Sequence, residues 1–383
     1  MHGTLHPQVE WRPLASLKPI IAEWASLAQR AIEPNVFYEP AFALAAAPVF
    51  GTDAGAVLIW SQNMSRQLVG LFPARIERFR YWVPVSVLVG WTHAYAPLGT
   101  PLVDRVAAEE VICAWLDHIA ASTNLPNLVL LPYLPTEGAF AAALARVLTR
   151  RTGGMALFGA HVRALLAPGG ERTSYLQRAL APKKRKELRR QRKRLGETGQ
   201  LVSAADSAAP CVALALNDFF VLEAGGWKGR AGTAARCREE IKSFVAQAVT
   251  GLAQEGKAQT VRLCLDGRAI AALVVLRSGN AAWIWKIAHD ETCARYSPGV
   301  QALLDVTEGL LADTNVRCVD SCATADHPMI DHIWRERLAV GDCLFAAAPS
   351  VPAAFAVARS CEASRRALVS NAKMLRDWLR SKS

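Results

Sequence analysis

The segment Arg295-Tyr-Ser-Pro-Gly-Val300 combines residue types that suit a phosphate-binding helix start. Ser297 is a good N-cap residue, and Pro298 suits the first helical position, where a backbone N–H would have no partner. Gly299 removes a side chain at the place where backbone N–H groups are unpaired. Such a helix start, after a central strand, can hold a diphosphate through its N–H groups and the helix dipole. The alternative is an ordinary capped helix.

Polar residues also follow the last predicted core strand, over 316–321. Asp320 lies at its end, and Asp326 and His327 come a few residues later. Because ligands in α/β sheets meet the carboxyl ends of strands, these side chains are candidates for a site. The alternative is a turn rich in polar caps. The neighbouring cysteines and histidines lack the paired spacing of a zinc site, so no metal is predicted.

The positive charge is concentrated in two segments. The chain carries a net charge of +11, of which residues 181–200 hold +7 and residues 359–383 hold +5, so the remainder is nearly neutral. The first segment predicts a basic helix over 174–196, which is either a solvated linker or a surface for an anion. Few aromatic residues lie between its basic ones, which argues against a platform for single-stranded nucleic acid.

Both halves of the chain predict the same order of elements. In the first half we expect helices over 14–32 and 39–47, strands over 56–61, 67–80 and 82–89, a helix over 107–121 and a strand over 128–131. In the second half we expect a helix over 239–252, strands over 259–265, 269–276 and 281–288, a helix over 298–312 and a strand over 316–321. Asp266-Gly267 predicts a hairpin turn between the first two of these strands. By alternation, Trp283, Trp285 and Ile287 share one strand face. Two mixed α/β sheets and an internal duplication are therefore predicted.

Length and composition favour a folded protein of two domains. The 383 residues exceed what one core usually holds, and 52% of them are hydrophobic. No run approaches the roughly 18 to 20 apolar residues of a membrane span, and the N-terminus lacks a signal-peptide pattern. The nine cysteines are scattered without a CxxC pair, as is typical of reduced thiols. We therefore expect a cytoplasmic protein.

Three stretches of the second half resemble the CelD/BcsL-type, BioF-like acetyltransferase domain of the GNAT superfamily. They are Leu222-Glu-Ala-Gly-Gly-Trp-Lys-Gly-Arg230, Trp285-Lys-Ile-Ala-His-Asp-Glu291 and Arg295-Tyr-Ser-Pro-Gly-Val300. In the first half, Asn35-Val-Phe-Tyr-Glu-Pro40 and Ala96-Pro-Leu-Gly-Thr-Pro-Leu-Val-Asp104 resemble the N-terminal part of the same proteins. The related Fem-type transferases also use paired GNAT domains.

The resemblance implies an α/β fold of two tandem GNAT-like domains joined by a long basic helix. The expected ranges are 1–168 for a degenerate acceptor-side domain, 169–350 for the acyl-CoA-binding domain and 351–383 for a C-terminal basic helix. The activity implied is that of an N-acyltransferase, with acetyl-CoA or another acyl-CoA as co-substrate and no metal. The first domain is expected not to bind CoA, because its crossover helix follows the acidic Asp104 and has no glycine at its start.

The resemblance also assigns roles to individual residues. The CoA diphosphate would meet the helix start formed by Arg295, Ser297, Pro298, Gly299 and Val300. Asp290 and Glu223 are the candidates for the base that deprotonates the attacking amine, and Tyr296 is the candidate acid. Their structural alternatives are a loop cap, a solvent-facing helix carboxylate and a packing aromatic. The candidates for substrate binding are Trp227, Lys228, Arg230, His93, Tyr95, Lys286 and Asp320.

We expect direct transfer in a ternary complex, since no order of Cys, His and Asp suggests a covalent nucleophile. The acceptor would be a small molecule or a glycan precursor, in exopolysaccharide (including cellulose) or cell-envelope metabolism. Two alternatives stay open. One is a non-catalytic module that docks on a membrane or nucleic acid through the basic helix, and the other is an aminoacyl-tRNA-dependent transferase of the Fem type. No specific nucleic acid is expected as a partner, and peripheral contact with an anionic membrane stays open as an option.

Overall fold

The structure is a computed structural model that describes residues 7–62, 66–151, 154–348 and 352–382. Its contacts form two compact units. The first comprises Met1–Glu33, Gly51–Ala160 and Val340–Ser383, and the second comprises Pro34–Phe50 and His161–Ala339. These units differ from the predicted ranges because an early helix packs in the second unit and the C-terminal segment packs in the first.

The elements are numbered in chain order. The strands are β1 (Pro7–Pro13), β2 (Ala54–Ser61), β3 (Gln67–Glu77), β4 (Val87–Gly90), β5 (Leu102–Val103), β6 (Leu128–Pro135), β7 (Met155–Leu166), β8 (Leu201–Asp206), β9 (Ala258–Leu265), β10 (Arg268–Ser278), β11 (Ala281–His289), β12 (Cys318–Asp320) and β13 (Glu336–Ala346). The helices are α1 (Ile21–Arg30), α2 (Pro40–Phe50), α3 (Ala108–Ala121), α4 (Ala139–Arg150), α5 (Tyr175–Ala179), α6 (Pro182–Gly196), α7 (Ala209–Gly225), α8 (Trp227–Arg230), α9 (Glu239–Gln254), α10 (Pro298–Ala312) and α11 (Pro352–Lys382).

The two units repeat one strand arrangement. In the first, β1 to β4 form an antiparallel ladder, β6 pairs with β4 in parallel, and β13 pairs antiparallel with β6. In the second, β8 to β11 form the ladder, β12 pairs with β11 in parallel, and β7 pairs antiparallel with β12. The predicted mixed α/β class is confirmed. Each copy has one ladder strand more than predicted, because β1 and β8 were not foreseen.

Several boundaries differ from the expectations for local reasons. The strand expected over 82–89 is only β4, because turns occupy the residues before it. The basic helix expected over 174–196 is two helices, α5 and α6, since Pro182 begins a new helix at its N-terminal turn. Helix α6 lies in the second unit. The turn between β9 and β10 is the predicted hairpin, with positive φ at both Asp266 and Gly267.

The second unit buries side chains on both faces of its sheet. On one face, α5, α6 and α10 cover a cluster that includes Leu263, Leu273 and Ile284. On the other face, α2 and α9 supply Phe42 and Phe244, whose rings lie 5.5 and 6.3 Å from that of Trp285. No single helix of the described chain is long and apolar enough to cross a membrane. Helix α7 and the segment Trp227–Cys237, which meet at an angle of 61°, together have the length and apolar composition of a membrane span.

Candidate functional site

Strands β11 and β12 pair over only a short distance. The parallel pairing joins Ala281–Trp283 to Cys318–Asp320, where β12 ends, while β11 continues to His289. The second half of β11 therefore has no β12 residue beside it. This creates an open edge at the carboxyl end of a central strand, where α/β sheets bind ligands.

A β-bulge lies at the start of this open edge. Val275 of β10 pairs with Ile284 and Val274 pairs with Lys286, so Trp285 is the extra residue. A bulge shifts the alternation of side chains along a strand. Accordingly Ile287 packs in the same cluster as Ile284, on the α10 side. The predicted shared face of Trp283, Trp285 and Ile287 was therefore wrong for Ile287.

The bulge directs Lys286 towards α7. Its ammonium is buried, and burial is the main cause that lowers the pKa of Lys286 to about 8. The charge of Lys228 lowers that pKa further, whereas Glu223 and Cys322 act in the opposite direction. An amine with a pKa near neutrality can both hold and release a proton under physiological conditions.

Glu223 and Lys228 form an ion pair in the same region. The Nζ of Lys228 lies 2.9 Å from Oε1 of Glu223, whose Oε2 accepts the backbone N–H of Ala235 at 2.8 Å. Glu223 is buried, so the solvent-facing alternative does not apply. Both carboxylate oxygens are held by donors, which indicates a residue that orders the turn after α7.

Glu291 joins that turn to the end of β11. Its Oε1 accepts the backbone N–H of Trp227 at 2.7 Å, and its Oε2 lies 2.7 Å from the guanidinium of Arg230. The Trp227 ring itself is exposed. Four predicted residues (Glu223, Trp227, Lys228 and Arg230) are thus brought to one region with Lys286. The connecting role of Glu291 was missed, although this residue ends one of the motifs quoted above.

Helix α10 begins as predicted at Pro298, but the residue before it does not cap it. Ser297 adopts the left-handed conformation with φ 52° and ψ 53°, and its side chain makes no capping hydrogen bond. The first-turn N–H groups of Gly299 and Val300 have no intrahelical acceptor. Gly299 is buried, and a Cβ there would lie 3.2 Å from Nδ1 of His289. Glycine at this position therefore keeps the helix start uncrowded.

The remaining residues near this helix start are engaged in local structure. Asp290 accepts the N–H and hydroxyl of Thr292 and lies 2.7 Å from Arg268. The hydrogen bond from the Thr292 side chain is the main cause that lowers the pKa of Asp290. This geometry matches the loop-cap alternative and disfavours proton uptake. Arg295 is exposed and stacks 4.6 Å from the ring centre of the half-buried Tyr296.

Asp320 is part of a buried ion pair. Its Oδ2 lies 2.5 Å from the Arg163 guanidinium, and its Oδ1 accepts the N–H of Cys322 at 2.9 Å. Arg163 comes from β7, and no signal in the sequence connected it with Asp320. Burial raises the pKa of the Cys322 thiol well above its usual value. That thiol therefore stays protonated, in keeping with a transfer that needs no cysteine nucleophile.

His93 and Tyr95 belong to the first unit. The Nδ1 of His93 accepts the backbone N–H of Tyr95 at 3.3 Å, and its ring lies 5.2 Å from that of Trp91. Their predicted role in acceptor binding stays a prediction. No group of three or more described His, Cys, Asp or Glu side chains is placed to hold a metal ion.

The geometry of Glu223 leads to a first prediction. Glu223→Gln should lower the pKa of Lys286 below its present value of about 8, because it removes the carboxylate that favours the protonated amine. The measurement is the rate at which an amine-reactive acylating reagent labels Lys286 as a function of pH, with the labelled residue quantified by mass spectrometry. Asp218→Asn is the matched control on the same helix, since Asp218 pairs with Arg262 at the surface. An unchanged labelling midpoint would contradict the assigned electrostatic interaction between Glu223 and Lys286.

Comparisons with known proteins identify a domain in the second half of the chain and a shared fold. Residues 182–327 match the family model described as "Acetyltransferase (GNAT) domain". No curated protein matches the chain. Among solved structures, FemX is similar with a TM-score of 0.57 and 10% identity, over 85% of this chain and 95% of that one. A conserved protein of unknown function from Bacteroides thetaiotaomicron has a TM-score of 0.54 and 8% identity, over 88% and 99%. L-PGS from Bacillus licheniformis has a TM-score of 0.50 and 12% identity, over 90% and 96%.

The matched range runs from α6 past the end of β12 and contains Lys286, Glu223 and the start of α10. The second half therefore carries a GNAT acetyltransferase domain, and the chain is an acyltransferase. The solved structures share its fold at identities too low to carry over a substrate.

Proposed function

We propose that this acyltransferase uses acyl-CoA to acylate an amine, and that transfer takes place at the open edge of β11. The observation that carries the proposal is the end of β12 at Asp320 while β11 continues past its bulge towards α10. An extended thioester arm laid along this edge would lie beside the part of β11 that continues after β12 has ended. It would also bring the thioester close to Lys286.

The start of α10 suits the diphosphate of CoA. We assign this role to the N–H groups of Gly299 and Val300, with Ser297 and Pro298 shaping the turn before them. The glycine lets the helix start lie close to His289, and the helix dipole favours the negative charge of a phosphate there. Arg295 is exposed beside this turn and adds a positive charge.

Lys286 is our candidate for the proton acceptor. As the acceptor amine attacks the thioester carbon, it forms the new C–N bond and its surplus proton passes to the neutral Nζ of Lys286. The C–S bond then breaks, and the departing thiolate takes a proton. Tyr296 stays the predicted acid for that last step, and Asp290 and Glu223 stay the alternative bases. A base with a pKa near the working pH is the most efficient.

The resemblance to CelD/BcsL-type, BioF-like proteins suggests a cytoplasmic reaction on a glycan or cell-envelope precursor. Trp227, Lys228 and Arg230 are proposed to contact this acceptor, because they lie in the region of Lys286. His93 and Tyr95 are proposed to contribute from the first unit.

Titration calorimetry with acetyl-CoA tests the proposal. We expect one site per chain that persists at moderate salt, and Gly299→Glu should weaken it at least about tenfold, because the new side chain would crowd the helix start against His289 and its carboxylate would repel phosphate. Gly309→Glu is the matched control on the same helix, since a side chain there enters open space. Binding that vanishes with salt, or equal affinities in the two variants, would remove the assigned cradle.

The basic helix α6 supports a second candidate, transfer from aminoacyl-tRNA. Five of its basic residues are exposed and make no ion pair within the described chain (Lys183, Lys184, Lys186, Arg189 and Arg194). This candidate predicts tRNA binding in the calorimeter and no saturable binding of acetyl-CoA. If the two ligands exclude each other, both use the same site.

A further inference from the structure

The second unit contains a groove that the proposed transfer reaction does not use. It has a volume of about 550 Å³ and is lined by residues within 172–192 and 301–312. The lining includes none of the residues assigned above to CoA, the acceptor or proton transfer. Grooves of this size typically take one small molecule.

The apolar part of the groove consists of leucines. Leu176, Leu180, Leu188, Leu304 and Leu311 line it, and none of its fifteen lining residues is aromatic. Aromatic faces are what a protein normally offers to a nucleotide base. Branched aliphatic walls instead suit a flexible alkyl chain. The stretch of α10 from residue 301 to 312 is about 17 Å long at 1.5 Å per residue, so the wall is elongated.

Two of the four arginines in the lining serve the protein itself. Arg172 donates to the carbonyl oxygen of Leu310 in the last turn of α10 at 2.9 Å and to that of Val316, after the helix, at 3.0 Å. Arg192 pairs with Asp305 at 3.0 Å, so the net charge of this pair is close to zero. Neither guanidinium is therefore available as the main partner of a bound anion.

The other two arginines are available. Arg185 uses one nitrogen to donate to the carbonyl of Gln177 at 2.9 Å, which leaves its other donors open. Arg189 is exposed and makes no ion pair within the described part of the chain. The two lie four residues apart on α6, so both can reach one headgroup. A carboxylate or phosphate monoester matches two guanidinium forks.

Glu308 limits the charge that the groove accepts. It also lines the groove, and a second phosphate near it would be repelled. A ligand with one anionic end and an uncharged body avoids this repulsion, whereas a polyphosphate does not.

We propose that the groove binds an anionic amphiphile, with its alkyl chain along the leucines and its single headgroup at Arg185 and Arg189. Fatty acids and alkyl phosphates have this chemistry, as do monoacyl lipids with a phosphate headgroup. This site is separate from the site of acyl transfer. The proposal that it binds an amphiphile therefore holds whether or not the acyl donor is CoA.

The test is calorimetric titration of the full chain with dodecyl phosphate and with dodecanoate, both below their micelle-forming concentrations. We expect saturable binding at one site. Arg189→Glu should weaken it at least about tenfold, while Arg194→Glu, an identical charge change elsewhere on α6, should leave it within about twofold. Leu304→Trp should abolish binding by filling the groove. Thermal unfolding, followed by circular dichroism, checks that each variant is folded.

The relative affinities of the two probes identify the headgroup. The proposal fails if inorganic phosphate binds as tightly as dodecyl phosphate, because the groove would then be an anion site only. It also fails if adenosine 3′,5′-bisphosphate displaces the amphiphile, since the groove would then belong to the CoA site. Undiminished binding in Leu304→Trp would place the ligand elsewhere. None of these outcomes depends on whether the Gly299→Glu experiment succeeds.

Discussion

Lys286→Met is expected to lower the rate of acyl transfer by about 10²- to 10⁴-fold, which is the usual contribution of a general base. The affinity for acetyl-CoA should change little, because Lys286 is assigned to proton transfer and not to the CoA cradle. The wild-type rate should rise with pH, reach half of its maximum near pH 8 and level off above that, since the amine accepts a proton only when neutral and its pKa is about 8. The measurement is single-turnover transfer as a function of pH.

Lys286→Arg separates two ways in which this residue can act. Arginine keeps a positive charge but does not release its proton in this pH range. If Lys286 is the base, the arginine variant should be as impaired as Lys286→Met. If it retained much of the activity, with no pH step near 8, a charge that holds the thioester oxygen would be the better role. Arg268→Met, which removes only the exposed partner of Asp290, serves as a control of the neighbouring surface.

Glu362→Gln is expected to destabilise the first unit by about 3 to 5 kcal/mol, as is usual when a buried ion pair loses one partner. Glu362 is fully buried on α11, and its two oxygens lie 2.9 and 3.1 Å from nitrogens of Arg80. Arg366 donates to it as well, at 2.7 Å. The substitution would leave Arg80, whose side chain is only 11% exposed, with Glu77 alone. Urea unfolding measures the change.

The same carboxylate makes stability depend on pH. Its contacts with Arg80 and the neighbouring arginines outweigh desolvation and lower the pKa of Glu362 from 4.5 to about 2. A carboxyl group whose folded pKa is depressed stabilises the fold above its unfolded pKa. This contribution, roughly 3 kcal/mol, is lost as pH falls from about 5 to 2. Glu109→Gln, at a more exposed pair with Arg146 and Arg150, should cost less than about 1 kcal/mol. Similar losses in both variants would contradict the special role of Glu362.

Local patterns predicted the elements that position the site. The apolar periodicity of α10 and the turn at Asp266 and Gly267 were read correctly, because helix spacing and turn chemistry depend on residues close in the chain. Strands β1 and β8 were missed, since a strand of mixed polarity is stabilised by a partner far away in sequence. The pairing of Arg163 with Asp320 was missed for the same reason.

Lys286 shows where alternation fails. A regular strand would place Lys286 on the α10 side with Ile284, and the sequence contains no sign of the extra residue at Trp285. The bulge follows from the register with β10, which is decided by packing along the whole pair. It moves Lys286 to the side of Glu223 and thereby produces the amine with a lowered pKa. The sequence was enough to select Lys286 and Glu223 as candidates. That they lie on the same side of the sheet follows only from the register between β10 and β11.

Strand β13 pairs with β6 in the first unit, although it comes near the end of the chain. During synthesis, the stretch 161–339 has therefore left the ribosome before Val340–Ala346 can pair with β6. The usual order, in which the N-terminal domain is completed first, cannot hold here. Until β13 pairs with it, β6 exposes backbone N–H and C=O groups that can pair with strands of other chains. A fragment ending before residue 340 should accordingly aggregate, and the two halves of this gene product cannot be produced as independent folded pieces by a single cut.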